Sequence, residues 1–294
     1  MQSIKQEIDS LVPPTSFSDG LVRRDFLKAA LGAGIAAAAL PARSATMIAT
    51  DANGLTAGTV SIPAGDRDIP AYLAQPEGKT GLPVILVVSE IFGVHHYIAD
   101  VARRFAKAGY LALAPDLFVR QGDPNAYASV GELVKNLIAK VPDAQVMKDL
   151  DACAAWAGTH GGDANRLGIN GFCWGGRIVW LYAAHNPKLK AGVSWYGRLV
   201  NDKTPATPTE PLDLVADIKA PVLGLYGVRD AGIPVATVED MRLKLQRAGK
   251  ESDFVIYPDA GHGFHADYRP GYVKEDAEDG WKRALEWFGK HGVG

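Results

Sequence analysis

Cysteine is scarce in this chain, with two residues, Cys153 and Cys173, in 294. So few cysteines exclude a disulfide framework, and without Cys/His pairs at ligand spacing no zinc site is expected. Cys-x-x-Cys is also missing, which disfavours thiol redox chemistry. Charge of one sign is not in excess: the formal net charge is -2, leaving no electrostatic case for a nucleic acid or an anionic membrane surface. The apolar run at 29–40 has about a dozen residues, whereas a bilayer-spanning helix takes roughly 20, so no stable membrane anchor is expected. Internal repeats are absent. What is present is ordinary globular composition, 47% hydrophobic and 22% charged residues, enough for a real core.

The first 45 residues differ from the rest. Arg23-Arg24-Asp25-Phe26-Leu27-Lys28 precedes the Ala/Gly-rich run, and Pro41-Ala42-Arg43-Ser44-Ala45 follows it. Twin arginines, a mildly apolar segment and small residues read as a Tat export signal that is removed on export. The expected partner is the Tat translocon, and the expected location is the bacterial periplasm. Residues 46–294 then form one domain.

From Thr56 onward, short apolar or β-branched runs alternate with helical patterns. Strands are predicted at 59–62, 71–74, 83–88, 111–114, 167–169, 192–195, 222–225 and 254–257, the first two as an antiparallel pair. Helices are predicted at 98–108, 143–158, 175–185, 235–248 and 277–290. Such alternation implies an α/β fold, a mainly parallel central sheet with helices on both faces. The Pro/Thr-rich stretch 202–211 reads as a surface loop, because the alternation resumes directly after it.

Parallel α/β sheets place their chemistry at the carboxyl ends of the strands. Glu90, Cys173, Asp230 and His262 all follow predicted strands. Nucleophile, acid and histidine occur in the chain order of the α/β-hydrolase fold. Around Cys173 the chain reads Gly171-Phe172-Cys173-Trp174-Gly175-Gly176. Small neighbours permit a sharp strand-to-helix turn that displays the thiol and aims a following N–H at a developing oxyanion. Each piece alone has a plainer reading: a core thiol in a Gly-rich turn, Asp230 as a helix cap, His262 in a solvated loop, Glu90 as a carboxylate at a helix start. It is their joint order that favours chemistry.

These residues carry a resemblance. The chain resembles the dienelactone hydrolases, or carboxymethylenebutenolidases, over nearly all of 57–289. The matching segments are Glu90-Ile91-Phe92-Gly93-Val94, Pro115-Asp116-Leu117-Phe118, the Gly171–Gly176 elbow, Trp195-Tyr196-Gly197, Asp230 with Pro234, and Gly261-His262. The resemblance implies a Cys173–His262–Asp230 triad, with Glu90 as an additional carboxylate near the thiol. It also implies an oxyanion hole made by the N–H groups of Trp174 and Ile91. The family's cysteine rests protonated and ionises as substrate binds, which protects the reactive thiolate form from oxidation and alkylation. The implied activity is cofactor-free and metal-free hydrolysis of an activated small-molecule ester or lactone through a thioester. The competing expectation is a degenerate hydrolase that only binds its ligand.

For substrate contacts the candidates are Tyr196 and Trp195 as pocket walls, with Arg120, Tyr127 and Arg269 as polar partners. The family's carboxylate-binding arginine is absent at its matching place after the histidine, and Arg269 stands displaced from it. His265 reads as a surface or supporting residue. Cys153, on one helical side with Leu150 and Ala157, reads as a core thiol. His95-His96 does not read as a metal site, since adjacent side chains point apart. Oligomeric state is not legible.

Overall fold

A computed structural model describes residues 47–294; the twin-arginine segment lies outside the described residues. The chain forms an eight-stranded sheet in the order β1-β2-β4-β3-β5-β6-β7-β8. Strands β1 (Leu55–Pro63) and β2 (Asp68–Pro76) pair antiparallel, and β2 pairs antiparallel with β4 (Leu111–Pro115). From β4 the sheet continues parallel through β3 (Leu82–Val88), β5 (Gly162–Phe172), β6 (Leu189–Trp195), β7 (Val222–Gly227) and β8 (Ser252–Tyr257). This is the mainly parallel α/β sheet that the alternation implied.

The central strands are apolar because helices cover both faces. Every residue of β3 from Pro83 to Val88 is buried, as is every residue of β7. Strand β5 runs further toward its start than periodicity suggested. Its polar opening residues pair with Leu82 and Pro83, and the register shifts before the apolar part begins. The chief helices are α1 (His96–Lys107), α2 (Val130–Asn136), α3 (Asp143–Thr159), α4 (Trp174–His185), α5 (Val235–Arg247) and α6 (Lys274–Lys290). Helix α2 was not expected from the pattern: it is seven residues long, and Leu133 is its one buried residue. Its start is fixed by Ser129, whose Oγ accepts from the Glu132 N–H at 3.2 Å.

Cys153 is fully buried on α3, on the face that also buries Val146, Leu150 and Ala157. Burial in these apolar surroundings pushes its thiol pKa well up. Helix α4 is anchored by Arg177, whose guanidinium donates to both oxygens of Asp143 at 2.7 and 2.8 Å and to Thr209 O at 2.8 Å. That bond pins the 202–211 loop, which the sequence reading placed on the surface, against the helix that follows Cys173. Among the described residues no helix is long and apolar enough to cross a membrane.

Candidate active site

Cys173 sits between β5 and α4 with φ 56°, a left-handed conformation that a non-glycine residue adopts only when its surroundings enforce it. Close backbone approach provides that enforcement. A Cβ on Gly171 would lie 2.2 Å from Gly175 O, and one on Gly175 would lie 2.4 Å from Val88 O. The turn is thus passable only with glycine at those positions. The Cys173 N–H donates to Trp195 O at 2.9 Å, and Cys173 O accepts from the Arg177 N–H at 3.2 Å. The thiol is 3% exposed.

Asp230 follows β7 and His262 follows β8. The imidazole Nδ1 lies 2.7 Å from Asp230 Oδ2, with both side chains buried. The other carboxylate oxygen accepts from the Gly232 N–H at 2.9 Å, so the acid is held from two sides. Nε2 of His262 makes no hydrogen bond among the described residues. Burial alone would push this imidazole pKa down. Cys173, once its thiol is ionised, and the Asp230 carboxylate outweigh burial and raise it well above the ordinary histidine range.

Glu90 follows β3 and is 1% exposed. Its Oε2 accepts from the Tyr268 hydroxyl at 2.7 Å and lies 3.5 Å from His95 Nε2. Its Oε1 stands 4.0 Å from the Arg269 guanidinium and makes no hydrogen bond among the described residues. Burial would raise the carboxyl pKa, yet Arg269, His95 and Tyr268 together hold it at about 2. Glu90 is therefore held as a buried, ionised carboxylate. Ile91 is buried directly beside it. Trp174 opens α4, where the N–H has no intrahelical acceptor.

The structure gathers some of the other sequence candidates at this centre and sends others elsewhere. Arg269 lies over the Phe92 ring at 4.9 Å and against Glu90. The Tyr196 ring packs edge-on to His262, centroids 5.1 Å apart. Trp195 is no pocket wall: it is fully buried, and its indole N–H donates to Asn170 Oδ1 at 2.9 Å. Arg120 is not a free carboxylate binder either. Its guanidinium is consumed by Asp66 at 2.6 and 2.7 Å and by Asp149 at 2.6 Å, so it clamps the β1–β2 turn to α3. Tyr127 is half-buried and packs against the core. His265 is buried and neutral, its pKa pushed well down by burial and by Arg104, and its ring lies tilted against Trp195, centroids 4.3 Å apart. Among the described residues no cluster of His, Cys, Asp or Glu could hold a metal ion.

Neither Tyr268 as a partner of Glu90 nor the clamp on the loop that carries His262 was evident in the sequence. Helix α1 holds that loop at two points. Tyr97 Oη lies 2.6 Å from His265 Nδ1, and Arg104 Nη2 donates to the buried Asp267 at 2.5 Å. The available signal was the density of aromatic and charged residues immediately after Gly261-His262.

Comparison with known proteins decides the family. The family model described as "Dienelactone hydrolase family" matches residues 69–292. The chain belongs to the dienelactone hydrolase family. Among its relatives, a protein of Methylorubrum extorquens assigned as a carboxymethylenebutenolidase is 55% identical over the whole of both chains. Another so assigned, from Salmonella typhimurium, is 55% identical over 88% of this chain and 96% of its own. A crystal structure from Klebsiella pneumoniae, assigned as a dienelactone hydrolase, shares 56% identity. It covers 80% of this chain and 99% of its own, with a TM-score of 0.79. This dienelactone hydrolase family member is accordingly a carboxylic ester hydrolase of the carboxymethylenebutenolidase kind.

Proposed function

We propose that the protein hydrolyses an activated small-molecule ester or lactone with Cys173 as the nucleophile. The observation that supports this most is the Asp230–His262 pair, 2.7 Å apart and buried behind a cysteine on a strained strand-to-helix turn. The thiolate attacks the acyl carbon, and the oxygen of the tetrahedral intermediate is stabilised by the N–H groups of Ile91 and Trp174. Protonated His262 gives its Nε2 proton to the leaving oxygen as the carbon–oxygen bond breaks, producing a thioester. Neutral His262 then takes a proton from water, whose oxygen displaces the sulfur. Asp230 keeps the imidazole oriented and stabilises its cationic form.

Glu90 gives this site a substrate-dependent base. Arg269 is the foremost of the partners that keep Glu90 ionised. A substrate bearing a carboxylate competes for that guanidinium, and Glu90 becomes more basic as its counter-charge is drawn off. Its unbonded Oε1 then serves as acceptor for the Cys173 proton. A stabilised leaving group suits the chemistry further, because a thiolate departs more readily than an ordinary alkoxide. Dienelactone, an enol lactone that also carries a free carboxylate, meets both conditions.

Turnover of p-nitrophenyl acetate and of dienelactone by wild type and Cys173→Ala tests the proposal. Loss of both activities in the variant is the expected result, and equal rates would end the idea. The export reading of residues 1–45 stands as a companion proposal. Fractionation of producing cells, with Arg23→Lys/Arg24→Lys held in the cytoplasm and wild type in the periplasm, is its test.

A further inference from the structure

Tyr196 combines a strained backbone with a hydroxyl that has nothing to bond. Its φ is 40°, in the left-handed region where a bulky side chain is an outlier and often marks function. Neighbouring bonds lock it there. The Tyr196 N–H donates to Leu225 O at 2.8 Å, while the preceding Trp195 O accepts from the Cys173 N–H at 2.9 Å. The following residue is wedged against the nucleophile helix, since a Cβ on Gly197 would lie 2.3 Å from Gly176 C. The turn after β6 is therefore fused to the elbow that carries the thiol, and its conformation sends the phenol ring against His262.

The phenol is fully buried, yet its Oη makes no hydrogen bond among the described residues. Buried hydroxyls are almost always bonded. Tyr226, on the neighbouring β7 and equally enclosed, obeys that rule by accepting from Trp180 Nε1 at 3.2 Å. Two further buried polar atoms without a hydrogen bond, His262 Nε2 and Glu90 Oε1, belong to the same centre. Charges on Glu90, Arg269 and Cys173 all act on the Tyr196 hydroxyl. Cys173 acts on two of these groups, the Tyr196 hydroxyl and the His262 imidazole.

Topology gives each a side. Strand β6 lies between β5 and β7, which puts Tyr196 on the His262 side of Cys173. Ile91 comes from β3, on the opposite side of β5. The carbonyl oxygen is taken by Ile91 and Trp174, leaving Tyr196 and His262 to face the departing group. We propose that Tyr196 Oη donates a hydrogen bond to the leaving oxygen of the ester or lactone as Cys173 displaces it. This inference rests on the cysteine-hydrolase reading above.

In the step, the sulfur–carbon bond has formed and the carbon–oxygen bond breaks. Its electron pair passes to the leaving oxygen, which takes the proton from His262 Nε2, and Tyr196 keeps its own proton throughout. Burial raises the phenol pKa well above its ordinary value, so the group remains a donor across the working pH range. A cysteine enzyme has particular need of it. The tetrahedral intermediate holds both sulfur and oxygen, and expulsion of the thiolate returns the substrate. A hydrogen bond that stabilises the oxygen as it leaves tips the partition forward.

Steady-state kinetics on a series of phenyl and alkyl acetates, from p-nitrophenyl to simple alkyl, test the assignment with wild type, Tyr196→Phe, Tyr226→Phe and Cys173→Ala. Tyr196→Phe is expected to keep or raise the thermal midpoint, because it removes an unbonded hydroxyl. Its kcat should fall about tenfold or more on poor leaving groups, as for loss of one preorganised donor, and markedly less on p-nitrophenyl acetate. KM should hardly move. Tyr226→Phe, which removes a bonded hydroxyl, should lower the midpoint and show no leaving-group dependence. A Tyr196→Phe enzyme within twofold of wild type, or one with the same loss on every ester, overturns the assignment. If instead Cys173→Ala turns over like wild type, the nucleophile reading fails and takes this inference with it.

Discussion

Cys153 and Cys173 are buried to nearly the same degree, 0% and 3% exposed, yet their surroundings share almost nothing. Cys153 lies on a regular helix face among Val146, Leu150 and Ala157, with burial pushing its thiol pKa well up. Cys173 occupies a left-handed turn, next to a carboxylate-held imidazole and a strand away from ionised Glu90. Burial alone therefore says little about a thiol. What separates the two is that the backbone at Cys173 is bent to bring an imidazole to the sulfur, whereas the charge that acts on Cys153, Asp149, only adds to the effect of burial.

The contrast breaks most sharply by removing each thiol. Cys173→Ala should cut kcat/KM for p-nitrophenyl acetate by about 10³-fold or more with the fold intact. Whatever iodoacetamide labelling occurs in wild type should fall on Cys173 alone, and labelling of Cys153 in the folded enzyme would undo the distinction. Asp230→Asn comes next. It keeps the geometry but favours the wrong tautomer, and kcat should fall about 10²- to 10⁴-fold, with the thermal midpoint as the control for folding.

Glu90→Gln sharpens the electrostatic half of the comparison. Activity on a carboxylate-bearing substrate such as dienelactone should fall about tenfold, in keeping with loss of one proton-transfer group. Stability carries a sign that can be checked. The Glu90 pKa is lowered from 4.5 to about 2, so its contribution is fully present above pH 4.5 and is lost as pH falls toward 2. The wild type should exceed Glu90→Gln in thermal midpoint at neutral pH, and the gap should close across that acid window. A gap independent of pH would assign Glu90 a different role.

The smallest effect on activity is expected from the groups that only build the frame. Cys153→Ala should cost about 1–2 kcal/mol through a lost core contact and leave kcat unchanged. Urea unfolding together with steady-state rates measures both. A comparable loss of kcat would place Cys153 in the chemistry after all.

How much of this was legible beforehand follows from how local each feature is. The apolar run at Pro83–Val88 and the glycines flanking Cys173 are local signals, and both ended where the pattern placed them. Asp230 and His262 were legible because strand ends in a parallel sheet share one edge. The Glu90–Tyr268–Arg269 contacts were not, because they depend on how the 261–273 loop folds back over α1. Arg104 and Asp267 hold that loop from 163 residues apart in the chain, a separation no periodicity spans. Arg120 misled for a related reason. An arginine in a loop after a strand resembles a substrate ligand until Asp66 and Asp149 are seen to occupy it. Trp195 misled because its neighbour Tyr196 faces the site, whereas the indole alternates into the core and meets Asn170. Helix α2 escaped notice because its single buried residue gives no amphipathic stripe.

The central claim is that Cys173 carries the acyl group between the two halves of the reaction. Mass spectrometry of the enzyme quenched in acid during turnover of p-nitrophenyl acetate tests it most directly. One acetyl group on the peptide bearing Cys173, absent from Cys173→Ala and accumulating in a variant at His262, is the predicted result. Full turnover with the acetyl group on another residue, or with Cys173 never acylated, would contradict it.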